Sequence, residues 1–280
     1  MTVINTNTGS LYAQQALITN ARGLEQTMQQ LSTGKRINNS VDDVAGMAIA
    51  TRLTSQIRGL NQAVRNANDG ISMIQTAEGA TEQVTNMLQR MRELAIQASN
   101  DTNNTQDRSF LNLEFSALNT QINKIAEYTQ WNAANILNGE NRGLGSGVFS
   151  FQVGANAQQT INVTFPDMRT ISGSTLSSIL STIITTATSA NSALGTISSA
   201  LDQVNFERAK MGAVISRLQF AGDNLFNVST KATESRSRIE DTDYSMATTD
   251  LARRNIIQQA AQAMLAQANQ APQLVLQLLK

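Results

Sequence analysis

The sequence predicts a mainly α-helical protein, a long antiparallel helical bundle or coiled coil with one small β-hairpin region. Three observations predict this fold. Apolar residues recur every three or four positions at both ends of the chain and in its centre. Only two prolines occur among 280 residues, and none precedes Pro166, so no proline interrupts a helix in the first half. Aromatic residues make up only 4% of the chain, which indicates a thin, elongated core.

The first helical segment places its apolar residues on one face in steps of four and three: Leu17, Ala21, Leu24, Met28 and Leu31. We expect this helix to end near Gly34 and a linker to follow at 35–39. Ser40, with Asp43 three residues later, resembles a capping box. Asp42 and Asp43 are also favourable at the positive end of a following helix.

The longest pattern runs from Met47 to Asn100. An apolar residue recurs every seven positions from Leu53 to Ile74, and the phase slips near 77–79 before it resumes. A continuous helix of this length would be roughly 80 Å long at 1.5 Å per residue. We expect a turn at 101–104 and then a third helix with its apolar face at Leu111, Phe115, Leu118, Ile122 and Ile125.

The pattern changes near 148–166. Residues 148–153 and 161–165 alternate apolar and polar side chains, which predicts a hairpin that Pro166 ends. Residues 170–199 contain 16 Ser or Thr. Helical spacing returns at Leu194, and the C-terminal segment places seven apolar residues in one register: Ile257, Ala261, Met264, Ala268, Ala271, Val275 and Leu278.

These predicted segments divide the chain into three stretches that form two domains. Residues 1–45 and 226–280 form the two parts of an inner coiled-coil domain, and 46–225 forms a rod domain of long helices with the hairpin. We expect the apolar stripes of the first and last helices to form the seam of the terminal coiled coil. On spacing alone, an ordinary antiparallel coiled coil explains the same pattern.

The composition excludes several kinds of active site. The chain has no His and no Cys, which excludes thiolate nucleophiles, Ser–His triads and zinc sites built on these residues. The acidic groups Asp42/Asp43 and Glu240/Asp241/Asp243 are better explained as helix caps and solvated faces than as a cation site. We therefore expect neither enzymatic activity nor a cofactor or bound metal.

Charge and hydropathy limit the partners. The formal net charge is zero, which argues against a nucleic-acid binder. No run of about 18 apolar residues occurs, so we expect no membrane partner. The first residues have neither a charged start nor an apolar core, so we expect a cytoplasmic protein or one exported without a cleaved signal peptide.

A series of motifs resembles bacterial flagellins. The matching segments are 31–38 (LSTGKRIN), 42–50 (DDVAGMAIA), 89–95 (QRMRELA), 151–156 (FQVGAN), 235–244 (SRSRIEDTDY), 263–269 (AMLAQAN) and 275–279 (VLQLL). They lie in the same order as in that family. Three departures occur. Ala247 lies near a position that flagellins often fill with Glu. Trp131-Asn132-Ala133 stands where flagellins usually have Phe-Asn-Gly, and the variable outer domains are missing, so the chain resembles a short form.

The resemblance implies a function. In that family the subunit polymerises with itself into an open helical homopolymer, the extracellular filament of the bacterial flagellum, which serves swimming motility. It is exported by the flagellar type III apparatus without a cleaved signal peptide. The implied partners are an export chaperone, a filament cap protein and the hook–filament junction protein. Because Ala-rich terminal stripes bury little area, we also expect the ends to fold on assembly.

The resemblance also implies recognition by innate immune receptors. Gln89, Arg90, Leu94 and Glu114 match positions through which the flagellin-sensing Toll-like receptor contacts the family, and the same residues serve contacts between subunits. The apolar residues at 275–279 resemble the part detected by cytosolic immune sensors. The Ser/Thr-rich segment 170–199 carries either O-linked sugars or, more simply, a solvated helix face.

Two other functions share parts of this pattern. A hook–filament junction protein has the same paired helical ends, but the QRMREL stretch and the FQVGAN hairpin favour flagellin. A type III translocator that enters host membranes would contain long apolar hairpins, which this chain does not have.

Overall fold

The computed structural model describes residues 6–139, 147–169 and 182–278, with side chains up to position 270. This part of the chain forms five helices and two pairs of short antiparallel strands, which confirms the predicted fold class. The helices are α1 Thr8–Thr33, α2 Val44–Ser99, α3 Thr105–Tyr128, α4 Ala187–Glu240 and α5 Tyr244–Leu278. The strands are β1 Gln130–Trp131, β2 Ala134–Asn135, β3 Val148–Gln152 and β4 Thr160–Thr164.

The chain divides into two compact units. The first unit comprises Met1–Gln56 and Thr230–Lys280, and in it α1 packs against α5. The second unit comprises Ile57–Ser229 and contains the main hydrophobic core. The three stretches predicted from the sequence, with boundaries at 45/46 and 225/226, stay a prediction.

Local signals begin and end α1. Asn7 is the N-cap, and its side-chain oxygen accepts a hydrogen bond from the backbone N–H of Ser10 at 3.1 Å. Gly34 follows the last turn in the left-handed conformation, with φ +71°, and its N–H donates to the carbonyl of Gln30 at 2.9 Å. The predicted end near Gly34 is therefore confirmed.

Asp43, not Ser40, caps α2. The Asp43 carboxylate accepts a hydrogen bond from the backbone N–H of Gly46 at 2.8 Å. The predicted capping box on Ser40 is wrong, because the chain turns through 40–42 and the helix begins only at Val44. Asp43, the acidic residue at the end of the predicted motif, is itself the cap.

The central helix α2 is continuous over 56 residues, which confirms the long helix predicted from Met47 to Asn100. Side chains of α2, α3, α4 and the β3–β4 hairpin share the core of the second unit. Burial of each large apolar side chain contributes about 1.5–3 kcal/mol. The fully or nearly fully buried members include Ile74, Leu88, Met91, Phe115, Ile122, Ile197, Val204, Leu218 and Phe165.

A capping box begins α3. The side-chain oxygen of Asn104 accepts a hydrogen bond from the N–H of Asp107 at 2.9 Å, and the Asp107 carboxylate accepts one from the N–H of Asn104 at 3.2 Å. The predicted turn at 101–104 is confirmed by this reciprocal pair.

The predicted hairpin is present as β3 and β4. Val148 pairs with Thr164 at one end and Gln152 with Thr160 at the other. Alternate residues of β4 are buried, as the period-two pattern predicts. The ring of Phe165, just after β4, packs edge-to-face against Phe149 with 5.5 Å between ring centroids.

A second hairpin, β1–β2, was not predicted. Strands of two residues have no periodicity that a sequence pattern can detect. The turn residues Asn132 and Ala133 have φ values of +47° and +59°. Positive φ at both central residues is typical of a type I′ turn, which favours Gly at its second position. Ala133 therefore occupies a conformation that glycine adopts more easily.

The Ser/Thr-rich segment is only partly described. Its residues 170–181 lie outside the described residues, and its last part enters α4. There the hydroxyls of Ser192, Thr196 and Ser199 donate to the carbonyl four residues earlier, as on a solvated helix face.

No helix within the described residues has a stretch that is long and apolar enough to cross a lipid bilayer.

Candidate assembly surfaces

The helices α1 and α5 pair antiparallel in one register. The side-chain amide of Asn7 donates to the carbonyl of Ala268 at 2.7 Å, and that of Asn20 donates to the carbonyl of Arg254 at 2.8 Å. Near the other end of α1, the Tyr244 hydroxyl donates to the carbonyl of Leu31 at 3.4 Å. Side chain to main chain hydrogen bonds therefore fix which turns of α1 and α5 face each other.

The predicted seam of the terminal coiled coil is only partly covered in a single chain. Six of its residues are half-buried: Leu17, Ala21, Leu24, Leu31, Ala261 and Ala268. Three are more open, with Met28 56%, Ile257 44% and Met264 65% exposed. The side chains of Ala271, Val275 and Leu278 lie outside the described part. The structure thus brings α1 and α5 together but leaves part of the predicted seam facing solvent.

Polar residues that the spacing analysis missed are the most buried positions of α1. Asn20 is 7% and Thr27 5% exposed. The Thr27 hydroxyl donates to the carbonyl of Gly23 at 2.8 Å, so its burial leaves no unpaired donor. The guanidinium of Arg254 lies against Gly23, where a Cβ would collide with it. A search for apolar repeats cannot find such contacts, because they depend on an amide, a hydroxyl and the absence of a side chain at Gly23.

The same register brings exposed apolar residues of α1 and α5 to matching levels. At three places both helices present an apolar side chain that is 44% to 71% exposed. We call this set the terminal apolar residues; it consists of Leu11 with Met264, Ile18 with Ile256 and Ile257, and Met28 with Met246. Exposed apolar side chains that recur on both helices of a pair are typical of a contact region that another molecule covers.

Backbone pairing joins the segment after α1 to the segment before α5. The N–H of Arg36 donates to the carbonyl of Glu240 at 2.7 Å, and the N–H of Thr242 donates to the carbonyl of Gly34 at 3.0 Å. The Lys35 ammonium also lies 2.5 Å from the Glu240 carboxylate. The first unit therefore holds its two chain segments together at this end through main-chain as well as ionic contacts.

Asp42 stabilises the turn between α1 and α2. Its carboxylate accepts hydrogen bonds from the backbone N–H groups of Asn38 at 3.0 Å and Asn39 at 2.9 Å. These two bonds lower the pKa of Asp42 below its ordinary value, and the bond from Asn39 has the larger effect. The side-chain amide of Gln26 donates to the other carboxylate oxygen at 3.0 Å.

The remaining acidic residues of this region also have protein partners. Asp241 accepts a hydrogen bond from the Ser237 hydroxyl at 2.6 Å, and Asp243 caps α5 by accepting from the N–H of Ser245 at 2.9 Å. This agrees with their interpretation as caps and surface pairs. Within the described residues, no group of three or more acidic side chains is placed to hold a metal ion.

A charged cluster joins α2 and α3 around Arg90. Its guanidinium donates to Glu114 on α3 and to Glu93 on α2, each at 2.9 Å. The bonds to Glu114 and Glu93 raise the pKa of Arg90 above its ordinary value, and the bond to Glu114 has the larger effect. Sequence reasoning missed Glu93, although its spacing of three residues from Arg90 is the ordinary signal for a helical ion pair.

The four residues predicted for the receptor and assembly surface separate into two groups. Gln89, Arg90 and Glu114 are exposed, and the structure brings Arg90 and Glu114 into contact. We call these three residues the Arg90 surface. Leu94 lies instead in the core of the second unit, 1% exposed. Its side chain packs in this core and does not itself reach solvent.

Comparison with known proteins agrees with this architecture. Residues 4–142 match the family model of the bacterial flagellin N-terminal helical region, and 194–279 match that of the bacterial flagellin C-terminal helical region. The flagellin of Halalkalibacterium halodurans is 42% identical over 279 residues, which cover 99% of this chain and 100% of that protein. The flagellin of Bacillus subtilis is 38% identical over 304 residues, with 99% of each chain covered.

A solved structure gives the same result for part of the chain. The crystal structure of Bacillus cereus flagellin is 28% identical, with a TM-score of 0.51, and the match covers 57% of this chain and 88% of that one. The chain therefore belongs to the bacterial flagellin family, the structural subunits of flagellar filaments, and is a short form of it.

Proposed function

We propose that this flagellin polymerises with copies of itself into an open helical filament outside the cell, and that the α1–α5 pair is a main assembly element. The observation that carries the proposal is the set of terminal apolar residues, exposed at matching levels on the two helices. In a single chain these side chains remain in contact with water. Burial against neighbouring copies would be favourable by roughly 25 cal/mol for each Å² of apolar surface removed from water.

The charge distribution on the terminal helices supports close packing of many copies. Between Thr8 and Thr33 only Arg22 and Glu25 are charged, and α5 carries only Asp250, Arg253 and Arg254. The Arg253 guanidinium also pairs with Asp250. Because like charges repel when subunits are brought together, a nearly uncharged helix pair is suited to the interior of a polymer.

An open polymer needs contact faces that do not close on themselves, so a second and different surface must take part. We assign this role to the Arg90 surface. Its arginine is held in place by carboxylates of two helices, which limits the conformational entropy lost when a partner binds. In the filament the partner is a neighbouring subunit. In the free subunit the same residues are available to the flagellin-sensing Toll-like receptor.

The further partners follow from family membership. We propose an export chaperone, a filament cap protein and the hook–filament junction protein as partners, and secretion without a cleaved signal peptide. The alternative, that the chain is itself a junction protein, predicts few copies in isolated filaments, whereas a filament subunit is the main protein there. Quantifying this chain in purified filaments separates the two.

Seeded assembly tests the proposal directly. Purified chain, mixed with short filament fragments, should lengthen them and sediment, and electron microscopy should show helical filaments. A chain that stays in the supernatant and leaves the seeds unchanged contradicts the filament role.

Two arginine variants test the Arg90 surface. Arg90→Ala should slow seeded growth and weaken receptor activation, whereas Arg58→Ala, the same change at another exposed position of α2, should alter neither. If Arg90→Ala abolishes receptor signalling but leaves filament growth unchanged, one surface does not serve both partners.

A further inference from the structure

Among the methionines that the structure describes, exposure differs sharply between the two units. The most exposed are Met28, Met246 and Met264, which are 56%, 71% and 65% exposed and all lie in the first unit. We call them the exposed methionines. In the second unit the buried ones are at most 3% exposed; they are Met73, Met91, Met168 and Met211.

All three exposed methionines belong to the terminal apolar residues. Met28 and Met246 lie at one level of the α1–α5 pair, and Met264 lies at the level of Leu11. Two of the three apolar levels on this surface therefore contain a thioether. The third level, at Ile18, contains only branched aliphatic side chains.

Oxidation would change the chemistry of these levels. The chain has no cysteine, so its methionine thioethers are its only sulfur groups and no thiol competes with them for a peroxide. In the reaction one peroxide oxygen is transferred to Sδ, the O–O bond breaks and water leaves. The sulfur loses two electrons and the peroxide gains them. The product, methionine sulfoxide, is polar and chiral where the thioether was apolar and flexible.

We propose that Met28, Met246 and Met264 are peroxide modification sites that make addition of this subunit to a filament sensitive to oxidation. The free subunit exposes them to the oxidant. Their sulfoxides then place polar groups on the levels that assembly must bury, so the oxidised subunit adds poorly. In the filament, neighbouring copies cover the same sulfurs and protect them. This inference rests on the proposed role of α1 and α5 in assembly.

Peptide mass spectrometry and seeded sedimentation test both halves of the proposal. Free chain and assembled filaments are treated with hydrogen peroxide under identical conditions. In the free chain the exposed methionines should oxidise at least about tenfold faster than the four buried ones, and in filaments they should be protected. Oxidised chain should add to seeds several-fold more slowly. Reduction with enzymes specific for the two sulfoxide epimers should restore addition, which separates sulfoxide formation from general damage.

Leucine variants provide a matched control, because leucine has a similar volume and resists peroxide. Met28→Leu/Met246→Leu/Met264→Leu should assemble after peroxide treatment, whereas Met47→Leu/Met87→Leu, at half-buried positions, should remain sensitive. Should the triple variant fail to fold, rescue of the native chain by the reductases still decides the question. Unchanged seeded addition of a chain oxidised at all three positions overturns the proposal and leaves the assembly role intact. Failure of the untreated chain to add to seeds overturns the assembly role itself.

Discussion

The side-chain amide of Asn20 donates a hydrogen bond to the main-chain carbonyl of Arg254 at 2.8 Å, across 234 positions of sequence. Asn20 is only 7% exposed, and it is one of the two most buried residues of α1, with Thr27. A polar residue buried between paired helices is known to specify one register, because any shift leaves its amide without a partner. Here that register is the one that places the terminal apolar residues at matching levels.

Replacing Asn20 should loosen the terminal helix pair. Asn20→Ala removes one side chain to backbone hydrogen bond, which stabilises a protein by about 0.5–1.5 kcal/mol and corresponds to about twofold to tenfold faster amide exchange. Hydrogen exchange of α1 and α5 in the full chain measures this. Asn255→Ala, an exposed change on α5, is the control and should leave exchange unchanged. Equal exchange in both variants would mean that Asn20 does not set the register.

The β1–β2 turn should be improved by glycine. Ala133 has φ +59°, a conformation unfavourable for a residue with a Cβ, so Ala133→Gly should stabilise the protein by about 0.5–1 kcal/mol despite the extra freedom of glycine in the unfolded chain. Ala117→Gly, at an exposed position within α3, should destabilise by about 0.5–1 kcal/mol. Urea unfolding of both variants measures the two free energies. A destabilising Ala133→Gly would show that the turn conformation is not strained.

Leu94 and Gln89 should differ in the kind of effect they have. Leu94 is 1% exposed, so Leu94→Ala should lower the free energy of unfolding by about 2–5 kcal/mol. Gln89→Ala, one and a half turns away on the surface, should change it by less than about 0.5 kcal/mol. Urea unfolding followed by circular dichroism measures both. If Leu94→Ala has the same free energy of unfolding as the native chain, the Leu94 side chain does not stabilise the core.

Acid should weaken the turn that Asp42 holds. Its folded pKa lies below the ordinary 3.8, so its contribution is fully present above that value and is lost as the pH falls through the folded pKa. The stability difference between native chain and Asp42→Asn should therefore shrink as the pH is lowered from about 6 to about 2.5. Urea midpoints across this range measure it, with the exposed Asp202→Asn as control. A difference independent of pH would show that the carboxylate charge is not involved.

The sequence predicted the long elements well because each repeats an apolar pattern over many turns. The patterns around Met47 to Asn100 and at 148–165 give α2 and the β3–β4 hairpin with nearly correct bounds. The prediction on Ser40 failed because the motif contains two side chains that can cap a helix, and only the geometry shows that Asp43 does so while Ser40 lies in the preceding turn. The burial of Asn20 was not predictable, since it depends on where α5 packs and not on spacing within α1. The burial of Leu94 was not predictable either, because a match to the family's contact positions does not show whether a side chain is exposed.

The most direct test of the assembly role of α1 and α5 is seeded sedimentation of two matched double variants. Ile18→Ser/Ile256→Ser changes two exposed isoleucines at one level of the helix pair, which are 51% and 66% exposed. Val41→Ser/Val44→Ser changes two apolar residues, 94% and 73% exposed, outside α1 and α5. Since none of these side chains is buried in the single chain, both variants should fold like the native protein. We expect the valine variant to add to filament seeds at the native rate and the isoleucine variant to remain in the supernatant. Normal addition of the isoleucine variant would contradict the assembly role of the terminal apolar residues.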